Sequence, residues 1–184
     1  MRLEIRSLQA RTGATAIYVT HDQGEALTMA DHLVVMNEGR VVQCGTPAQI
    51  YADPQSRFVA SFLGEPAVNL LPVSIAREGL LMLPDGRAAG LRAGNATGPC
   101  LLGIRPEDVV LEQGGLAAKV IQVENFGYRK IVHVLLGDAR LAVSVAPPVE
   151  LSIGMDAGIR FPAGQCLLFD RDGGARLSAD FQPA

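Results

Sequence analysis

The chain has 184 residues, 16 Lys plus Arg against 19 Asp plus Glu, a net charge of −3 and 48% hydrophobic residues. That is enough apolar material for a core, in one ordinary domain or two small ones, and it excludes a disordered tail. Mild acidity, 5% aromatics and the absence of Trp argue against a nucleic-acid binder, which needs a basic stripe or stacking platforms.

Met1, Ile5 and Leu8 repeat at i, i+4, i+7, which predicts an amphipathic helix stopped near Gly13. Residues 14–20, A-T-A-I-Y-V-T, are rich in β-formers and read as a buried strand. His21-Asp22-Gln23 opens a helix through about Ala30, with Asp22 as cap and Glu25 at capping-box spacing. An apolar strand follows at 33–36. Asn37-Glu38-Gly39-Arg40 turns it back into a strand at 41–44, a hairpin. Strand, helix, strand implies a βαβ unit with a parallel pair. Thr46-Pro47 is a cap followed by Pro at the first helical position, so 47–52 is a short helix. Asp53-Pro54 breaks it, and 55–63 is a second helix with Phe58, Val59, Phe62 and Leu63 on one face. Phe58, Phe62 and Leu63 are expected to be core residues joining two domains.

Composition shifts at Gly64-Glu65-Pro66, dividing the chain into 1–64 and 65–184. The second part predicts about eight strands, at 68–76, 79–83, 100–105, 116–125, 129–136, 140–146, 158–162 and 165–170, with Gly-, Pro- and Asp-bearing turns between them. Their spacing suggests a closed or nearly closed barrel. No apolar run approaches the ~20 residues of a membrane helix. The N-terminus lacks the apolar stretch of a secretory signal. Cys44, Cys100 and Cys166 are scattered and odd in number, forming neither a disulfide framework nor a zinc site, which fits a reducing, cytosolic compartment. They are expected to be small buried hydrophobes.

The run Tyr18-Val19-Thr20-His21-Asp22-Gln23-Gly24-Glu25-Ala26 resembles the switch-histidine segment of ATP-binding-cassette (ABC) transporter ATPases. Val34–Pro47 is similar to the final hairpin of those subunits. Ile50-Tyr51, Pro54 and 57–64, R-F-V-A-S-F-L-G, point to the carbohydrate-importer branch, the maltose and glycerol-3-phosphate type. Asn69-Leu70-Leu71-Pro72 and Gly103-Ile104-Arg105-Pro106-Glu107-Asp108 resemble that branch's regulatory domain, an OB-like β-barrel called TOBE. The resemblance implies an α/β remnant of an ABC ATPase domain followed by an all-β OB-like (TOBE) barrel.

The phosphate loop needs a Lys after Gly. The chain's two, Lys119 and Lys130, follow Ala118 and Arg129. No Asp is followed by Glu, as the Walker B pair requires, and no L-S-G-G-Q signature is present. In this family all three precede the switch histidine. The chain is therefore expected to be the C-terminal part of a longer ATPase, with Met1 in mid-helix sequence.

His21 is the expected catalytic residue, acting only in the full-length protein. At the mouth of a βα turn an imidazole can donate to a γ-phosphate and hold the attacking water. For this chain alone no cofactor-binding or metal-binding residue is expected; ATP and Mg belong to the full-length protein. Asp22 and Glu25 are better explained as caps than as an acid/base pair. Arg105-Pro106-Glu107-Asp108 could hold a small anion, but a solvated strand end followed by a helical turn explains it more simply. The partners implied are transmembrane permease subunits, a second copy of the chain and a regulatory protein on the barrel, with no nucleic acid, at the inner face of the cell membrane. The competing reading is a stand-alone TOBE-like module that binds a small oxyanion or a regulatory protein.

Overall fold

The computed structural model describes residues 2–94 and 96–184. The chain forms two compact units, Met1–Gly64 and Glu65–Ala184.

The first unit opens with helix α1, Arg2–Thr12. Gly13, at φ +65°, ends it and donates its N–H to Gln9 O at 2.9 Å. The Met1 position of the expected stripe lies outside the described residues. Ile5 and Leu8 are exposed. Polar contacts tie α1 to its neighbour instead: Arg6 Nη1 donates to Thr28 O at 2.8 Å, and its other terminal nitrogen lies 3.5 Å from Asp31.

The strand expected at 14–20 is not formed. The unit's only sheet among the described residues is two-stranded and antiparallel, β1 (Leu33–Asn37) with β2 (Arg40–Gly45). The expected βαβ unit with its parallel pair is therefore absent. A strand exists through its neighbour's N–H and C=O groups, and no described segment offers them to 14–20. Ile17 and Val19, expected to be buried, are 92% and 90% exposed.

Helix α2, Gln23–Met29, starts where expected. The β1–β2 turn places Glu38 and Gly39 at φ 49° and 73°, the two left-handed positions of a tight hairpin turn. Helix α3 (Pro47–Ala52) begins with a closed capping box: Thr46 Oγ1 accepts from Gln49 N at 3.3 Å, and Gln49 Oε1 accepts from Thr46 N at 3.0 Å. Helix α4 (Arg57–Phe62) is capped by Ser56. The core of the unit is Val35, Ile50, Val59 and Leu63, with Leu27, Leu33, Tyr51 and Phe58 packed against it.

The second unit contains two antiparallel sheets around one core. The seven-stranded sheet runs β12 (Arg176–Leu177), β11 (Leu167–Asp170), β6 (Pro99–Ile104), β3 (Asn69–Ile75), β4 (Leu80–Met82), β5 (Ala88–Gly94), β13 (Asp180–Pro183). The four-stranded sheet runs β10 (Asp156–Arg160), β7 (Val110–Asn125), β8 (Lys130–Leu136), β9 (Ala139–Val145). Residues such as Leu71, Leu102 and Leu168 of the first and Val132, Val134 and Val143 of the second share the core. The expected barrel is thus two sheets wrapped on a common interior. β7 is longer than expected because its bulge between Leu111 and Ala117 joins two stretches, each paired with β10. Gly115 makes that bulge possible: a Cβ there would stand 2.6 Å from Ile159 O.

Asn69 connects the sheets. Its buried amide donates Nδ2–H to Ala142 O at 2.8 Å and accepts from Ala142 N at 2.7 Å. The side chain thereby pairs with β9 as a neighbouring peptide group would. No helix among the described residues is long and apolar enough to cross a membrane.

Candidate functional site: the His21 turn

Four hydrogen bonds shape the turn before α2. Tyr18 and Thr20 donate their hydroxyls to Glu25 Oε2 at 3.1 and 2.8 Å. Asp22 N donates to Thr20 Oγ1 at 3.0 Å, and Glu25 N donates to Asp22 Oδ1 at 2.9 Å. Asp22 is therefore the cap, as expected. Glu25 does not reach back to close a capping box; its carboxylate gathers the hydroxyls of the preceding segment. Gln23 Oε1 accepts from Gly64 N at 2.8 Å, tying the start of α2 to the end of the unit. His21 stands exposed at the apex of this braced turn. An imidazole so placed can meet a ligand from outside without disturbing the turn that carries it.

A turn at Arg105–Asp108 follows the end of β6, as the simpler expectation has it, but Arg105 is 4% exposed rather than solvated. Asp108 N donates to Arg105 O at 3.0 Å, and Pro106 O accepts from Ser144 N at 2.8 Å, which fastens the turn to β9. Burial raises the Asp108 carboxyl above its usual range and Glu107 adds to the rise, while Arg105 opposes it. Burial, with Asp108 as a lesser cause, pushes the Cys166 thiol up to about 12. Burial also raises Cys100. Both are buried as expected; Cys44 is exposed, contrary to expectation, because it lies on the solvent side of β2.

Leu63 is fully buried and Phe58 packs beside it within the core of the first unit. Phe62 is exposed, its ring stacked on that of Phe58 at 6.0 Å. No group of three or more His, Cys, Asp or Glu able to hold a metal ion occurs among the described residues. Sequence reasoning missed Asn69 as the inter-sheet link. The signal was present: an amide inside the apolar run V-N-L-L is a buried polar group in search of partners.

Residues 102–169 match the family model of the TOBE domain. Over nearly its whole length the chain is similar to curated proteins named as import or ABC transporter ATP-binding proteins. Among those relatives is the sn-glycerol-3-phosphate import ATP-binding protein of Ruegeria pomeroyi, 42% identical over 181 residues, 97% of this chain and 51% of that protein. The protein of the same name from Chromohalobacter salexigens is 45% identical over 189 residues, 94% of this chain and 49% of its own length. An uncharacterized ABC transporter ATP-binding protein of Sinorhizobium fredii is 40% identical over 183 residues, 97% and 49% of the two lengths. The chain spans about half the length of the curated relatives it matches.

Proposed function

We propose that this chain is the C-terminal part, with the switch histidine and the TOBE domain, of the ATP-hydrolysing subunit of an ABC importer for sugars or sugar phosphates. The observation that carries the reading is His21, exposed on a hydrogen-bonded turn directly before a capped helix, in a chain aligned over 97% of its length with an importer ATP-binding protein. The relatives' name makes sn-glycerol-3-phosphate the first solute to test.

In the complete subunit ATP, with its Mg, is the substrate. The residues of this chain fit one part of that site. His21 is suited to a γ-phosphate, whereas Lys119 and Lys130 sit within strands β7 and β8 rather than in a phosphate loop. His21 donates from its imidazole to a terminal phosphate oxygen and fixes the line of the attacking water, a positioning and electrostatic role. Glu25 serves as the positioning residue, because it holds Tyr18 and Thr20 and with them the entry to the turn. The second unit holds two subunits together and receives regulators. The complete subunit lies against permease partners at the inner face of the membrane.

The test is hydrolysis by the complete subunit. His21→Ala lowers turnover by a factor on the order of 10²–10³, as removal of a preorganised donor does, while equilibrium ATP binding is largely kept. Unchanged turnover in the variant overturns the role assigned to His21.

A further inference from the structure

A cavity of about 110 Å³ opens in the second unit between the β4–β5 turn of one sheet and the β8–β9 turn of the other. Leu71, Leu83, Pro84 and Leu136 give it apolar walls, and Asp85 and Asp138 stand among them. The two turns meet closely. Gly137 lies at φ +58°, and a Cβ there would stand 2.8 Å from Asp85 Oδ2, so glycine alone permits the approach. The space admits a body of about five to eight non-hydrogen atoms.

The two carboxylates differ in what they already hold. Asp85 Oδ2 accepts from Arg87 Nε and Nη2 at 2.9 and 2.7 Å, and Asp85 Oδ1 accepts from Arg87 N at 3.0 Å. These bonds keep the Asp85 carboxyl below its usual range. The other terminal nitrogen, Arg87 Nη1, donates to Ala117 O at 3.1 Å. That guanidinium is fully engaged, and it cancels the charge of Asp85. The exposed Asp138 carboxylate, by contrast, has no hydrogen-bond or ion-pair partner among the described residues. A negative charge is thus left unmatched beside an apolar hollow.

We propose that this cavity binds a small primary alkylammonium, its chain against the leucines and Pro84 and its N–H donors on Asp138. The apolar walls take the alkyl chain out of water. The carboxylate receives the ammonium through charge-assisted hydrogen bonds. An anion is repelled, because the one guanidinium nearby is already engaged. A neutral alcohol leaves the Asp138 charge unmatched. No aromatic residue lines the cavity, so it lacks the ring faces that hold a quaternary ammonium. The site shares no residue with the His21 turn, so it is tested independently of any nucleotide chemistry.

The test is a titration of the full chain with n-butylammonium chloride at neutral pH, followed in proton–nitrogen correlation spectra. This ligand fits the cavity, and its small size sets a Kd on the order of 1 mM. The amide signals of Gly86, Gly137 and Asp138 shift together along one saturable curve. Butan-1-ol, of the same length but neutral, binds about threefold to tenfold more weakly. Butyrate and tetramethylammonium give no saturable shift at these amides. Asp138→Asn, a change at an exposed position, erases the preference for n-butylammonium over butan-1-ol, and its unshifted signals elsewhere show that it is folded. Asp172→Asn makes the same change of charge in the β11–β12 turn, outside the cavity, and keeps the preference. No saturable shift with n-butylammonium, equal binding of butan-1-ol, butyrate or tetramethylammonium, or an unchanged preference in Asp138→Asn overturns the proposal. An equal loss in Asp172→Asn assigns the effect to the net charge of the chain and overturns it as well.

Discussion

Asn69 illustrates how one side chain can carry a fold. Its amide satisfies both the N–H and the C=O of Ala142, so removing it costs two hydrogen bonds and leaves two buried backbone groups wanting. Asn69→Ala should destabilise the second unit by about 2–4 kcal/mol, seen as a lower urea midpoint with little change in slope. The cysteines differ for a related reason. Cys166 is a buried thiol pushed up to about 12, and Cys100 is raised as well, so neither presents a thiolate near neutrality. A thiol reagent at pH 8 should modify Cys44 rapidly and the other two only after denaturant is added; equal rates for all three would contradict the burial described. The stability consequence has a definite sign. Cys166 keeps its proton in the folded state above the usual thiol value of 9.0, where the unfolded chain loses it. Its contribution is therefore full below about 9 and falls away as pH rises toward about 12.

At the level of elements, the sequence was legible wherever the determinants are local. The α3 box is written in Thr46, Pro47 and Gln49, the β1–β2 turn in Glu38-Gly39, and the α2 cap in Asp22. It was misleading where a partner decides the outcome. Residues 14–20 have strand composition, but no described segment pairs with them. Strand β5 was missed because A-A-G-L-R-A-G has little β propensity; it forms because Ala89, Leu91 and Ala93 fill the core between β4 and β13. β13 is held at an edge by its pairing with β5 alone, so its own four residues say little. The site was legible to the same extent. His21 and its capped helix can be read from the sequence, but the role of Glu25 cannot, since only the folded turn shows the two hydroxyls meeting its carboxylate. The 14–20 segment gives a direct check. Its amides should exchange with deuterium within seconds in this chain, and chymotrypsin should cut first at Tyr18. Slow exchange there would mean that another surface covers the segment in solution.

The two units differ in how they are held. The first rests on a small cluster, Val35, Ile50, Val59 and Leu63, beneath a two-stranded hairpin and short helices. Such a hairpin is marginal by itself. The second encloses a core drawn from two sheets, with Leu71, Leu91, Leu102, Leu141, Ile159 and Leu168 all nearly inaccessible. A chain of residues 65–184 should therefore keep the cooperative thermal transition of the whole, whereas 1–64 alone should melt without a sharp midpoint. A lost transition in 65–184, followed by circular dichroism, would show that the second unit needs the first.

The placement of Asn69 has a mechanical consequence. It is the first residue of β3, and β3 lies inside the seven-stranded sheet with β6 and β4 on its flanks. Tension entering the second unit from its N-terminal side meets both sheets at once, through the β3 ladders and through the amide grip on β9. Tension applied from the other end meets only β13, an edge strand paired over four residues, which can be peeled away one pair at a time. The unit is therefore stiff when hauled from the side of residue 65 and compliant when hauled from its last strand.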